Sequence, residues 1–341
     1  MELKQEKIDA LRKLIATPGR RIAVVSHVNP DGDAIGSGLA WNGLLNKLGH
    51  QSRFFVPNAP PQFLEVIDKH NEIRSFKNRG AEYAEFISDC DVIFCLDLNN
   101  TARIEELGET VRENLMATRV LIDHHCEPQP EYDLMFSYPE SSSTAFLVYK
   151  IIEALGMTDL IDETMATQIY TGIMTDTGNF SYGNLTPDLF CSVAKLMEKG
   201  INIPVINSSV FNNHSEKRMR LLGYMLNQKM VTIDRHNAAY LTLNKEEMAE
   251  YEFQPGDSEG FVNYPLSIKH IRMSAFFMQT LSCIKVSLRS QGDIDVNKFA
   301  KQYFNGGGHK NAAGGKSFYS MEKTVEHFLA ALDEFFGSQN Q

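Results

Sequence analysis

Three short apolar runs in this sequence each lead directly into residues that can hold a cation, and this repetition constrains the fold more than any other feature. Arg21-Ile-Ala-Val-Val-Ser26 is followed by His27, Asp31 and Asp33. Asp91-Val-Ile-Phe-Cys-Leu96 is followed by Asp97, and Arg119-Val-Leu-Ile122 by Asp123, His124 and His125. Runs of this length, rich in β-branched residues, read as buried strands. Between them lie helical patterns at residues 34–48, after the turn Asn29-Pro-Asp-Gly32, and at 62–69, with a further strand at 51–56. Alternating strands and helices predict an α/β fold: a mostly parallel sheet with helices on both faces. In such sheets ligands sit outside the carboxyl ends of the strands, where these polar residues fall. Asp176, in Thr175-Asp-Thr-Gly178 after the helical pattern 164–174, adds another carboxylate.

Helical patterns dominate from Ser143 to about Gln228, and the character of the sequence changes near Met230. A hairpin over 231–243, turning at Asp234-Arg-His-Asn237, and strands at 273–278 and 283–288 point to a second, smaller α/β domain. With 341 residues the chain can bury two cores. The reading is a first domain over 1–188, a helical linker over 189–229 and a second domain over 230–341. The glycine-rich segment Gly306-Gly-Gly-His309 with Gly314-Gly315 lies far from the first sheet in sequence, so a shared site would have to be a cleft between domains.

Composition excludes several classes. A net charge of −10 argues against a protein that grips long duplex nucleic acid through a basic surface, but not against a short anionic substrate held by local cations. The opening residues 1–17 mix charges with leucines at helical spacing and lack the apolar stretch of a signal peptide. No apolar run reaches the roughly 18 residues of a membrane span, so no membrane association and a cytoplasmic location are expected. The five cysteines, Cys90, Cys95, Cys126, Cys191 and Cys283, form no C-x-x-C pair and suit reduced thiols rather than disulfides or structural zinc.

Taken singly, Asp31 and Asp33 read more readily as turn residues and a helix cap than as ligands, Asp176 likewise as a turn, and Asp97 could be a strand-end turn residue. Asp123-His124-His125 is harder to dismiss, because adjacent ionisable groups at the end of an apolar strand need partners when buried. Their joint occurrence at successive strand ends favours a site. Asp31, Asp33, Asp97 and Asp176 crowded together would repel one another unless cations neutralised them, and two divalent ions would balance the four charges. With His27 and His124 the donor set is mostly oxygen with some imidazole. It suits Mn²⁺ best, with Mg²⁺, Fe²⁺ or Co²⁺ as alternatives. No Gly-x-Ser-x-Gly elbow or cysteine–histidine pairing signals a protein nucleophile.

His27-x-x-x-Asp31-x-Asp33, Asp97, Asp123-His124-His125 and Asp176 resemble, in order and spacing, the four motifs of DHH phosphoesterases. Ser287-Leu-Arg-Ser290 and Gly306-Gly-Gly-His309-x-x-Ala312-Ala-Gly314 resemble the DHHA1 substrate domain, so the likeness spans nearly the whole chain. It is strongest to the bacterial branch that degrades short oligoribonucleotides and dephosphorylates 3′,5′-bisphosphonucleosides (pAp). The resemblance implies that His27, Asp31 and Asp97 bind one metal and Asp33, Asp97, His124 and Asp176 the other, with Asp97 bridging. Asp123 would orient a neighbouring imidazole. His125 would contact the scissile phosphate or act as general acid. Two such ions can share a water, lower its pKa and present hydroxide for in-line attack. Arg289, Ser290, Gly307, Gly308 and His309 would bind substrate, the glycines by letting backbone N–H groups approach an anion. The implied partners are short single-stranded RNA or DNA oligonucleotides and nucleotides; a homodimer is left open. Alternatives are hydrolysis of linear dinucleotides such as pGpG, an inorganic pyrophosphatase, and a non-catalytic nucleotide- or RNA-binding module.

Overall fold

The strand-forming runs of the first half build one six-stranded sheet in which every neighbouring pair is parallel. Strands β1 (Arg21–Val25), β2 (Gln51–Val56), β3 (Ile73–Ser75), β4 (Val92–Leu96), β5 (Thr118–Asp123) and β6 (Leu134–Ser137) lie in the order β3-β2-β1-β4-β5-β6. Around them run helices α1 (Gln5–Ile15), α2 (Gly32–Lys47), α3 (Phe76–Ser88), α4 (Glu105–Glu113), α5 (Thr144–Leu155), α6 (Glu163–Asp176), α7 (Pro187–Met197) and α8 (Ile203–Phe211). The expected α/β architecture is therefore observed. The continuous apolar character of the strands has a simple cause: both faces are covered. Ile22 and Val24 of β1 pack with residues of α2, α5 and α6, whereas Ala23 and Val25 pack with residues of α3 and α4.

This computed structural model describes residues 1–338. The chain divides into two compact units, the break falling between Asn213 and His214. The segment 189–229, read as a linker, is shared between them. Leu189, Val193 and Leu196 of α7 and Ile206 and Val210 of α8 are buried in the first core, and Leu221 and Leu222 in the second. Among the described residues no helix is long and apolar enough to cross a membrane.

In the first unit the strand order reverses between β1 and β4, and the crevice at such a reversal is where sheets of this kind bind ligands. Close approach of two helices sharpens that crevice. A Cβ on Gly36 of α2 would lie 2.3 Å from the Gln168 carbonyl of α6, and one on Gly172 of α6 would lie 2.5 Å from the Ala145 Cβ of α5. Glycine at both positions lets the three helices meet, which brings Asp33 in the first turn of α2 near Asp176 at the end of α6. The short edge strands β3 and β6, only three and four residues long and mostly half-buried, had no signal of their own. Residues 62–69, expected to be helical, form a 3₁₀ segment, Gln62–Ile67.

The second unit is a mixed sheet of β7 (Val231–Ile233), β8 (Ala238–Leu243), β9 (Met273–Gln279), β10 (Ile284–Ser290), β11 (Gly307–His309) and β12 (Ala312–Ser317), in the order β11-β12-β10-β9-β8-β7. It carries α9 (Glu216–Tyr224), α10 (Lys245–Glu250), α11 (Val296–Tyr303) and α12 (Met321–Ser338). The predicted hairpin is present as β7–β8, its turn closing on Asn237 in the left-handed region. Phe299, Phe304 and Phe328 cluster with Phe277 on one face of the sheet, and Leu221, Phe261 and Phe276 on the other. The glycine-rich segment, with little intrinsic strand preference, forms β11 and β12 because the backbones pack too tightly for side chains. A Cβ on Gly306 would lie 1.9 Å from the Gly314 carbonyl oxygen.

Candidate active site

Each polar residue flagged in the first domain is carried by the end of a structural element. His27 follows β1, Asp97 follows β4, Asp123 ends β5 and His124 and His125 follow it. Asp31 is the N-cap of α2, its Oδ1 accepting from the N–H groups of Asp33 and Ala34. The turn after β4 puts Asp97 in the left-handed region, φ 57°, where Asp is one of the few non-glycine residues tolerated.

These ends converge. His27 Nε2 lies 3.3 Å from Asp97 Oδ2 and 3.9 Å from Asp31 Oδ1. His124 Nε2 lies 3.6 Å from Asp97 Oδ1, 3.8 Å from Asp33 Oδ2 and 3.5 Å from Asp176 Oδ2. His27, Asp31 and Asp97 form one group whose ligand atoms lie within 4.8 Å of one another, and Asp33, His124 and Asp176 form a second. Asp97 touches both histidines. Asp33, Asp97 and His124 are buried and Asp31 is exposed.

The rings are held so that one nitrogen of each faces the carboxylates. His27 Nδ1 is 2.9 Å from the Val28 carbonyl oxygen, and His124 Nδ1 is 3.3 Å from the Ser141 carbonyl oxygen. A carbonyl only accepts, so Nδ1 donates in each ring, and in neutral imidazole the Nε2 lone pair then points at anionic oxygens. That arrangement is repulsive unless a cation or a proton lies between. Charge in the metal-free protein answers to the same pressure. Burial opposes charge on His27, but its hydrogen bond to Asp97 and the attraction of Asp31 and Asp97 win, carrying its pKa up to about 9. Burial also opposes charge on His124, and Asp176, Asp97 and Asp123 outweigh it, raising its pKa. Asp33 is pushed well above the usual carboxylate range by burial and by the charges of Asp97, Asp176 and Asp31. Asp176 is raised to about 6 by burial, against the pull of His124 and with the repulsion of Asp31 and Asp97. Asp97 runs the other way: burial is overcome by the hydrogen bond from His27 and by the charges of His125, His27 and His124, holding it far below the usual range. Carboxylates that retain protons beside inward-facing imidazole nitrogens fit divalent cations.

Asp123, fully buried, orients an imidazole, and the ring it holds is His125: Nδ1 lies 2.7 Å from Asp123 Oδ1. The carbonyl of Ser141 serves His124 instead. The sequence reading missed Ser141, and it missed Thr144, whose Oγ1 donates to Asp97 Oδ1 at 3.0 Å. The backbone N–H groups of Thr144 and Ala145 donate to Asp33 at 2.6 and 2.8 Å, so the N-terminus of α5 fixes that carboxylate. The run Ser141-Ser-Ser-Thr144 before an apolar helical stretch was the available signal; it reads as a helix cap, which Ser143 also is.

In the second unit the flagged residues separate. Arg289 and His309 fall on one face of the sheet, since both align with Ala312 in the ladder. Ser290 is a departure from the expected substrate contact: strand alternation turns it to the opposite face, where it is buried and its hydroxyl donates to the Ile294 carbonyl at 2.6 Å. Gly308 departs too, because its N–H donates to Asn297 Oδ1 at 3.0 Å. Its φ of 148° and the 2.5 Å that a Cβ would leave to the Ala312 carbonyl oxygen show a glycine required by strand packing. Gly307 pairs with Gly314 across β11 and β12.

Comparison with known proteins agrees with this division. Residues 21–173 match the DHH family, N-terminal domain, and residues 236–338 match the DHHA1 domain. The chain belongs to the DHH family. It is 28% identical to the bifunctional oligoribonuclease and PAP phosphatase NrnA of Thermus thermophilus, over 96% of this chain and 94% of that one. Identity to the protein of the same name from Bacillus subtilis is also 28%, over 90% and 92% of the two chains. A crystal structure of an exopolyphosphatase-related protein from Bacteroides fragilis superposes with a TM-score of 0.93 at 38% identity, covering 99% of this chain and 98% of that one. As a DHH-family member the chain is a metal-dependent phosphoesterase, with candidate acidic and histidine sites for divalent metals.

Proposed function

We propose that this DHH-family enzyme hydrolyses phosphate esters of short oligonucleotides and of 3′,5′-bisphosphonucleosides, using two divalent ions of which Mn²⁺ suits the donors best. The observation that carries the reading is the pair of ligand groups meeting at Asp97. His27, Asp31 and Asp97 would hold one ion, and Asp33, Asp97, His124 and Asp176 the other. When bound, two such ions supply Lewis-acid neutralisation of the phosphoryl oxygens and ease deprotonation of water at neutral pH.

The chain's own groups do the rest. Thr144 and the α5 N-terminus hold Asp97 and Asp33 in place, so the ligand cage is built before substrate arrives. His125, fixed through Nδ1 by Asp123, would contact the scissile phosphate or give a proton to the departing ester oxygen. Arg289 would grip a substrate phosphate, with His309 on the same sheet face. The names of the relatives, oligoribonuclease and PAP phosphatase, favour nucleotide substrates over polyphosphates.

Turnover of pAp, a dinucleotide, a five-nucleotide RNA, pyrophosphate and polyphosphate should be compared side by side with Mn²⁺. Release of phosphate from pAp or of mononucleotides from the oligomers is the expected result. Turnover confined to pyrophosphate or polyphosphate would redirect the assignment. Nucleotide binding without any turnover would make the chain a binding module.

A further inference from the structure

Two exposed lysines on β10 and β12 of the second sheet are not used by the proposed chemistry. Along β10 the residues alternate between buried and outward-facing, so Lys285, Ser287 and Arg289 share one face. In the ladder with β12, Lys285 stands directly opposite Lys316, and both side chains are exposed. Like charges directly opposite on neighbouring strands destabilise a sheet. Among the described residues neither lysine makes a hydrogen bond or ion pair that would offset the repulsion, although carboxylates balance many other lysines of the chain. Between this pair and Arg289 the floor is low, because Ser287 aligns with Gly314 and Gly314 with Gly307. Just beyond Lys316, Phe318 and Tyr319 are 72% and 61% exposed.

We propose that Lys285 and Lys316 form a distal phosphate subsite for single-stranded oligonucleotides, with Phe318 as a stacking surface for a base beyond it. Charge complementarity selects the occupant: two unneutralised cations in register, a shallow trough floored by Ser287, Gly314 and Gly307 leading to a third at Arg289, and exposed aromatics at the far end match a polyanion with flat bases. Spacing gives the length. Four residues of strand at about 3.4 Å each separate Lys285 from Arg289 by about 14 Å, close to four stacked nucleotides at about 3.4 Å per nucleotide. A mononucleotide or dinucleotide anchored at Arg289 falls short of the lysines, and an oligomer of about five nucleotides reaches them. The subsite would set the upper end of substrate preference; it rests on the oligonucleotide reading above.

The test uses the full-length protein and its Lys285→Gln/Lys316→Gln variant, on surface positions outside the metal and Arg289 sites. Binding of fluorescent two- and five-nucleotide RNAs is followed by anisotropy across a salt series, and hydrolysis of pAp is measured in parallel. For single strands each phosphate contact contributes about 0.7 to the slope of log affinity against log salt, so removing two should flatten the five-nucleotide slope by about 1.4. The same relation gives a loss of roughly 25-fold in affinity at 0.1 M salt. Two-nucleotide binding and the KM for pAp should stay unchanged, and Phe318→Ala should weaken only the longer RNA, without changing the slope. Unchanged slope and affinity for the five-nucleotide RNA would overturn the proposal, as would equal losses for both lengths. Failure of wild-type protein to hydrolyse any nucleotide would instead count against the parent reading, since the binding comparison does not depend on turnover.

Discussion

Metal binding to this protein should expel protons, and the count follows from His27. Its Nδ1 is committed to the Val28 carbonyl, so an ion must take Nε2, which faces Asp31 and Asp97. In the metal-free protein that nitrogen holds a proton, since the pull of the two carboxylates outweighs burial and lifts the ring to about 9. At pH 7.5 such a group is about 97% protonated, so its share is about one proton per protein, with His124 adding to it. Asp176, at about 6, is nearly all ionised there and contributes little. Calorimetric titration of chelator-stripped protein with Mn²⁺, in buffers of different ionisation enthalpy, reads the number directly. One proton or more is expected, and the apparent affinity should fall about tenfold per displaced proton for each pH unit below 9. The metal-free fold should show the reciprocal trend. A histidine whose folded pKa lies above its unfolded value of 6.5 adds stability that is complete below 6.5 and is lost as pH rises through 9. The span of about 2.5 units is worth about 3 kcal/mol. Asp176 acts in the same sense at lower pH, between roughly 4 and 6. Stripped protein should therefore melt at progressively lower temperature between pH 6.5 and 9, while added Mn²⁺ stabilises it most at the alkaline end. Zero proton release, or a melting temperature that climbs with pH without metal, would refute the reasoning.

Asp97→Ala should remove the carboxylate that both ligand groups share, abolishing the second ion in a metal titration and lowering kcat by about a thousandfold or more. Arg289→Ala should raise KM roughly tenfold with kcat little changed; equal, mild effects of the two substitutions in steady-state assays would contradict their assigned roles. Gly172→Ala would force a methyl to within 2.5 Å of the Ala145 Cβ and 3.0 Å of Asp33 Oδ1. It should destabilise the fold by about 1–3 kcal/mol in urea denaturation and weaken metal binding as α2, α5 and α6 move apart.

The sequence alone determined the first domain's architecture and its candidate ligands, for one physical reason. A parallel strand buried on both faces must be apolar along its length, so β1, β4 and β5 stand out, and the first polar residues after them mark where each strand leaves the core. The family likeness read from those residues was legible for the same cause. Edge strands β3 and β6 lack a fully buried face, and β11 and β12 are written in glycine and alanine, so neither pair produced a pattern. Division of α7, α8 and α9 between two cores was equally hidden, since helices that pack into different cores share one periodicity.

What only the tertiary structure decided is who touches whom. Asp123 holds His125 and not His124, because the fold brings the Ser141 carbonyl to the latter. Thr144 reaches Asp97 from 47 residues away, through the start of a helix that reads locally as nothing but a cap. Ser290 and Gly308 looked like substrate contacts by motif, yet strand alternation and close strand pairing turn them to structural tasks, while Lys285 and Lys316, 31 residues apart with no local motif, acquire meaning only through the register that sets them side by side. Sequence periodicity reports burial along one element; contacts between elements depend on topology and register, which no local pattern encodes.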